Sequence, residues 1–576
     1  MAKFNTYFID LIFTICYNSF QVNDMKIFKK ITALLTCIIL TVTLFSGCSN
    51  KSDKLDFIYP FDGNITSFDP QIAATSDEFL ITENCFEGLV RILDDGTVQA
   101  GVAEKWTISE DKRTYTFNLR KGAKWNVQSE DKENPTKAQE LMGTDFNPDI
   151  TAHDFVFALQ RAADANTDSP LFSTIANIVN AKEVHSGKKA SGSRGVKALD
   201  DYTLEIRLIA PDDSFMNTLS TAVAMPCNRD YFYATKGRYG LGLDYTIFNG
   251  QFYVSTILDK SYILKNNKLY VGEYPSKVTD ITLNIIDVDS DIPKNIKNGY
   301  YDCAYISGDD YEKINDSKVT ALPYSNKMWA FLFNKNKQLF TNNDLRQAVC
   351  LSISDAKLDE HKHFTKANSF TPPSCMIGNE KANEAIGNTV PAQNTQKAVE
   401  LWKKGLQETQ YSIADITIIV PQNMEDIAKQ FVQGIQGSIG QITNYGDENK
   451  ISFSLKLNVL SDEEYNTAFS KGDYDIALYK FEATNQNPVS FLSDIINGNY
   501  LGEVDDVQKR LKAAQSANAG NMASACKKCE QAIMDDYSVI PVLFEASYYV
   551  QSKGVSSVQF HAGSGRVNFI NAQRAD

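Results

Sequence analysis

Few residues capable of covalent chemistry stand at a spacing that would let them do it. Cys526-Lys527-Lys528-Cys529 puts two thiols one helical turn apart, the separation of a redox or zinc pair. They fall in a helical pattern from Ala523 to Met534 with no second pair nearby, so they read as ordinary helix residues. Of the five histidines, His361 and His363 lie two apart on a polar stretch without a third ligand, the pattern of a solvated surface pair. The carboxylate pairs Asp94-Asp95 and Asp535-Asp536 sit in turn or surface contexts. Gly563-Ser564-Gly565 reads as a turn, because no helix or lysine follows to cradle a phosphate. No P-loop, HExxH or GxSxG motif occurs. A secreted hydrolase built on a thiol or carboxylate pair is the rival reading, but a catalytic cysteine needs a histidine partner and no such local pattern exists. The expectation is a protein that is not an enzyme, with no cofactor and no metal site.

Aromatic surface, by contrast, abounds: 33 Phe and 27 Tyr against 4 Trp. Most must be core, and a surplus suits a binding module. The 576 residues are 43 % hydrophobic and 22 % charged, a globular composition. At roughly 150 residues per domain this length makes about three or four domain-sized units. A net charge of −14 argues against a nucleic-acid partner, which calls for a basic footprint.

The first fifty residues read as an export signal. Lys26, Lys29 and Lys30 precede an uncharged run from Ile31 to Phe45, and Ser46-Gly47-Cys48 follows. As a helix that run spans about 22 Å, short of the ~30 Å hydrocarbon core, so a permanent span is the weaker reading. Leu44-Phe45-Ser46-Gly47-Cys48 resembles a bacterial lipobox, with Phe45 where an aliphatic residue is usual; the alternative is an ordinary signal that happens to contain a cysteine. Several acyl chains on Cys48 would anchor the protein stably. The leader is thus expected over 1–47, and a lipidated Cys48 with a polar tether over 48–54. Met25 suits such a signal better as a start than Met1, since residues 1–24 add Asp10, Asp24 and a second semi-apolar stretch. Of ten cysteines, those beyond Cys16, Cys37 and Cys48 are odd in number and supply no disulfide framework.

Periodicity outlines the elements that would position a site. Ile416 to Val420 reads as a strand, Ile427, Phe431 and Ile435 recur at helical spacing, and Ile451 to Val459 alternates as a half-buried strand. A helix from Asp462 to Ser470 and a strand from Tyr474 to Phe481 follow, giving the order of an α/β sheet with crossover helices. Upstream, Tyr115, Phe117 and Leu119 alternate in a strand, and Thr151-Ala152-His153-Asp154 has the spacing of a helix start reaching to about Ala163. Between them Gln128 to Asn147 is a polar stretch expected as a surface insertion. No flexible linker, repeat or low-complexity tract divides the chain, so its domains should interleave.

Read in order, these residues resemble the extracellular solute-binding lipoproteins of peptide ABC importers, the oligopeptide/dipeptide-binding family. The resemblance rests on Ser67-Phe68-Asp69-Pro70, Cys85-Phe86-Glu87-Gly88-Leu89-Val90, Gly101-Val102-Ala103-Glu104-Lys105-Trp106 and Tyr115 to Trp125. It continues through Thr151 to Phe155, Asn249-Gly250-Gln251-Phe252, Asp344-Leu345-Arg346-Gln347-Ala348, Tyr474 to Leu478 and Ile540-Pro541-Val542. It implies an α/β, two-lobed periplasmic-binding-protein-like fold of the large three-domain peptide-binding type. Its first lobe would combine 55–87, 208–276 and 545–576, with 88–207 inserted as a second domain and 277–544 forming the other lobe. It further implies a monomer held by lipid on the outer face of the cell membrane, or periplasmic. Such a receptor captures peptides between lobes and passes them to importer permease subunits, uptake energy coming from a partner ATPase. Extended peptides would be held largely through their backbone. The same scaffold with an oligosaccharide or a metal chelate such as nickel is the alternative. By motif position the ligand contacts are the strand Ala74, Thr75 and Ser76, together with Asn249, Phe481, Glu482, Thr484 and Glu545.

One departure bears on chemistry. The family's Trp-x-Ala-Asp pattern, whose Asp takes the peptide α-ammonium, is matched by Phe481-Glu482-Ala483-Thr484, so Thr484 stands where the acid belongs. A buried ammonium without its carboxylate costs about 3–5 kcal/mol. Either Glu482 or Glu545 replaces that acid, or the ligand lacks a free amine, as a modified or cyclic peptide or an oligosaccharide would. Leu269-Tyr270-Val271, where the family often has Tyr-Trp, is a second departure.

Overall fold

The computed structural model describes residues 54–575 except 94–96, 128–135, 144–145, 191, 193–194, 213–214, 288–289, 315, 360, 379, 445–449, 484–485, 503, 519 and 562–565. The expected leader, Cys48 and Thr484 therefore lie outside the described residues, as do Asp94-Asp95 and Gly563-Ser564-Gly565.

Strand β1 (Asp56–Phe61) turns Phe57, Tyr59 and Phe61 into the core, and a capping box at Thr75 and Glu78 then starts α1 (Ser76–Cys85). The strands β2 (Ala103–Ile108) and β3 (Thr114–Leu119) follow. Helix α2 (Ala152–Ala163) begins where the Thr151 spacing predicts, the Asp154 carboxylate accepting from Thr151 N at 2.7 Å. With β4 (Val196–Asp200) and β5 (Thr203–Arg207) the chain completes an antiparallel sheet of order β2-β3-β5-β4. Within the expected surface insertion, Lys137–Met142 forms a short helix capped by Thr136.

Next come β6 (Phe252–Leu258), β7 (Ser261–Asn266) and β8 (Asp280–Ile285), which join β1 in a sheet of order β1-β8-β7-β6. Here the structure moves an expected boundary. The first lobe was to end at 276, yet β8 runs parallel to β1 from Asp56↔Asp280 to Phe61↔Ile285, and Ile281 and Leu283 share the core of Phe57. Burial of those two side chains keeps the chain in this lobe past 276, and Cys303 and Tyr324 in the same core carry it on to the crossing.

The remainder builds one large sheet from β9 (Cys303–Ile306), β10 (Thr320–Phe333), β11 (Phe364–Lys366), β12 (Ile413–Pro421), β13 (Ser452–Leu460), β14 (Ile476–Glu482) and β15 (Val539–Gln551). Its order is β9-β15-β10-β14-β12-β13, with β11 on β15. Helix α3 (Gly308–Ile314) follows β9, α4 (Glu425–Ser438) and α5 (Asp462–Lys471) flank β13, and α6 (Met522–Asp536) precedes β15. Strands β12, β13 and β14 are parallel, so the expected strand–helix–strand–helix–strand run is present as two crossovers. Strand β13 is half-buried because it is the outermost of the three.

Two separate cores divide this architecture into lobes. One unites Phe57, Leu80, Phe117, Phe155 and Leu264; the other gathers Phe331, Leu345, Trp402, Phe431 and Leu478. Strands β10 and β15 pass between them. Tyr324 and Tyr549 belong to the first core, Met328 and Phe544 to the second. At the crossing Tyr324 pairs with Ser547 but Lys327 with Glu545, so β10 carries one extra residue, a bulge that twists the strands between the lobes. No helix among the described residues is long and apolar enough to cross a membrane.

Candidate functional site

A polar layer fills the crossing. Lys327 has Glu482 of β14 as its neighbour on one side and Glu545 of β15 on the other. Glu545 is only 8 % exposed and fully committed: Lys327 Nζ lies 3.0 Å from one oxygen and Trp329 Nε1 donates to the other at 2.7 Å. Lys327 also donates to Ser547 Oγ at 2.9 Å. Glu482, exposed, accepts one bond at 3.0 Å from Asn326 Nδ2, which also reaches Ala483 O at 3.3 Å. Asn326 is buried, and its Oδ1 has no hydrogen-bond partner among the described residues.

Two carboxylates thus face Lys327, and a second ammonium stands nearby, Lys480 Nζ lying 5.8 Å from the centre of the Trp329 ring. The carboxylates act on the neighbouring tyrosines. Burial pushes the Tyr305 hydroxyl up, and the charges of Glu482 and Glu545 add to the rise; burial, with Tyr305, Cys375 and Glu482 adding to it, does the same to Tyr324. An unpaired acceptor beside a carboxylate with free capacity is a seat for a cation with several N–H donors.

The other expected contacts fare differently. Successive strand residues face opposite ways, so Phe481 points away from Glu482 into the second core. There it meets Tyr500 edge-on at 5.3 Å and Tyr479 at 4.8 Å, packing among core aromatics. Ala74, Thr75 and Ser76 form no strand. They enter α1, and Glu78 collects Ala74 N at 2.8 Å and Thr75 N at 3.1 Å, so those amides are already spent. Asn249 is buried and clamps the Glu87 backbone, accepting from its N–H at 3.1 Å and donating to its carbonyl at 2.9 Å. Its neighbour Gly250 abuts Cys85, where a Cβ would come within 2.6 Å of the carbonyl carbon. Much of the Asn249-Gly250 motif is accordingly structural. Tyr270, in the second departure, donates to Glu87 at 2.6 Å beside Arg91.

Two further expectations change. His363 is not solvated with His361: its side chain is 3 % exposed and lies between carboxylates. Cys526 and Cys529 are buried on α6, and burial pushes each thiol up to about 12, far from a reactive thiolate. All seven described cysteines are buried, and none of them is joined in a disulfide.

Sequence reasoning missed Asn326, Lys327, Trp329 and Ser547. A signal did exist: Ser325-Asn326-Lys327 interrupts an otherwise apolar strand just before Met328 to Phe333.

Two α/β lobes with separate cores, joined by two crossing strands over a polar layer, define a two-lobed binding protein. Residues 97–500 match the family of bacterial extracellular solute-binding proteins, family 5 (middle), and the chain belongs to that family. Among its relatives, the dipeptide-binding protein DppE of Bacillus subtilis is 24 % identical over 89 % of this chain and 90 % of its own. The oligopeptide-binding protein OppA of the same organism is 26 % identical over 94 % and 99 %. In structure the chain is similar to the substrate-binding domain of an oligopeptide ABC transporter from Bacillus anthracis, at TM-score 0.69 and 22 % identity, covering 91 % of this chain and 99 % of that one. It is also similar to Listeria monocytogenes OppA bound to peptide, at TM-score 0.66 and 21 % identity over 91 % and 100 %.

Proposed function

We propose that this protein is a peptide receptor that encloses its ligand between the lobes and hands it intact to the permease of an ABC importer. The observation that carries the reading is the exposed Glu482 beside Asn326 Oδ1, which has no hydrogen-bond partner among the described residues. A peptide α-ammonium fits both: it brings one positive charge and three N–H donors. Of the two candidate acids, Glu545 is consumed by Lys327 and Trp329, which leaves Glu482 to receive the amine. Relatives named for dipeptides and oligopeptides support the substrate class.

The receptor performs no chemistry on its cargo. It is held by lipid on Cys48 at the outer face of the membrane, acts as a monomer, and takes its domains from the interleaved segments described above, with 88–207 as the inserted one. Cys48→Ser should release the protein from membranes into the medium; full retention would refute the anchor. The receptor reading is tested by incubating purified protein with a mixed peptide pool. A thermal shift with recovery of uncleaved peptides is expected. Cleavage products, or no shift with peptides but one with oligosaccharides, would overturn it.

A further inference from the structure

The buried histidine near the crossing has no role in the binding layer, and its surroundings are built for a charge. His363 Nδ1 lies 3.0 Å from a Glu312 oxygen and Nε2 lies 3.3 Å from an Asp309 oxygen, both carboxylates projecting from α3. A neutral imidazole has a single N–H, so one nitrogen would turn a lone pair on a carboxylate. The imidazolium alone gives both carboxylates an opposite charge, its Nδ1–H bonded to Glu312 and its Nε2 within ion-pair reach of Asp309. The ring reaches this place because Gly308, the first residue of α3, lacks a side chain: a Cβ there would fall 2.1 Å from the His363 ring.

The three residues belong to different lobes. Helix α3 packs through Ile314 in a cluster with Ile306 and Val550, against Ile58 of β1, on the first-lobe side. His363 precedes β11, whose Phe364 lies in the second core and whose Lys366 pairs with Asp355 of that lobe. Between them runs the crossing strand itself, Ala546 N donating to the His363 carbonyl at 2.8 Å.

We propose that Asp309, His363 and Glu312 form a proton-operated clamp across the hinge, which holds the lobes in the arrangement seen here while His363 is charged and loosens when it is neutral. The clamp concerns the hinge alone and does not depend on which solute the cleft takes. Charged neighbours have been assigned elsewhere or stand farther off. Glu545 of β15 is committed to Lys327, Asp310 to Lys313 at 2.7 Å, and His361 has its ring 6.3 Å away. Lys362 contributes its backbone N–H to Glu312 at 3.0 Å. Burial raises the Glu312 carboxyl, but the bonds from His363 and that amide outweigh it and hold the group below its ordinary value.

Hydrogen exchange of the ligand-free protein tests the clamp, read on peptides spanning 305–314 and 361–366 at pH 5.5 and pH 8 after correction for intrinsic chemistry. Exchange in both peptides should be about tenfold slower at pH 5.5, one charge-assisted bond being worth about that factor. His363→Gln should abolish the difference. Because a buried histidine can be needed for folding, the exposed-side variant Asp309→Asn with Glu312→Gln gives a second reading: it keeps the imidazole and removes both charges. Loss of the pH dependence in this double variant supports the clamp. The same pH dependence as wild type in either variant, or none in wild type, overturns it.

Discussion

Glu482→Gln isolates the charge of the binding layer from its shape. Glutamine keeps an oxygen for the 3.0 Å bond from Asn326, and position 482 is exposed, so unfolding free energy should change by no more than about 0.5 kcal/mol. What disappears is the free carboxylate capacity offered to the ligand. A charge-assisted hydrogen bond contributes about 1.5–3 kcal/mol, and closure of the lobes over the site favours the upper half, because exclusion of water strengthens the pair. The expected loss is therefore about one and a half to two decades in Kd for a peptide with a free amine. Isothermal titration of one peptide in free and N-acetylated forms makes the test. Wild type should prefer the free amine, and the variant should bind the two alike. Equal weakening for both forms would mean that Glu482 only shapes the cleft. No weakening would refute the argument that it meets the amine.

Three further perturbations probe the layers around the site. Glu545→Gln strips the charge facing Lys327 in a pair about one-tenth exposed on each side and should lower stability in urea by about 3 kcal/mol; a loss under about 1 kcal/mol would show the ion pair to be dispensable. Burial lifts the Asp154 carboxyl to about 6 despite bonds from Thr151 and Asn228. Its contribution is then whole below the unfolded value near 3.8 and is lost as pH rises through 6, up to about 3 kcal/mol. Stability of Asp154→Asn measured from pH 4 to 7 should lack that decline, and parallel curves would refute the shift. The seven described thiols are buried, with Cys350 among those raised to about 12. Alkylating reagent at pH 8 should label none of them until denaturant is added, as read by mass spectrometry; rapid native labelling of Cys526 or Cys529 would revive a redox role.

Much of the fold was legible because its signals are local. The Thr-x-x-Asp spacing at Thr151 and Asp154 places a helix start, and the alternation of Ile451 to Val459 marks an outer strand, since each depends only on near neighbours and on one buried face. The ordered motifs carried the family and its two lobes. The site was legible only in part. Motif position put Phe481 and Glu482 side by side as contacts, but the strand's pleat sends one into the core and leaves the other at the layer. Ala74 and Thr75 looked like strand, although a glutamate three residues past Thr75 had the spacing to take their amides. Which acid stays free was decided by residues some 220 positions apart: Lys327 and Trp329 reach Glu545 because β10 and β15 are paired, and no local pattern encodes that register. His363 shows the same limit, since its polar flanks suggested solvent while tertiary packing set it between two carboxylates. Composition, spacing and local caps were the sequence's own to settle; partnership across the hinge belonged to the folded chain, because it depends on pairings between segments distant along the polypeptide.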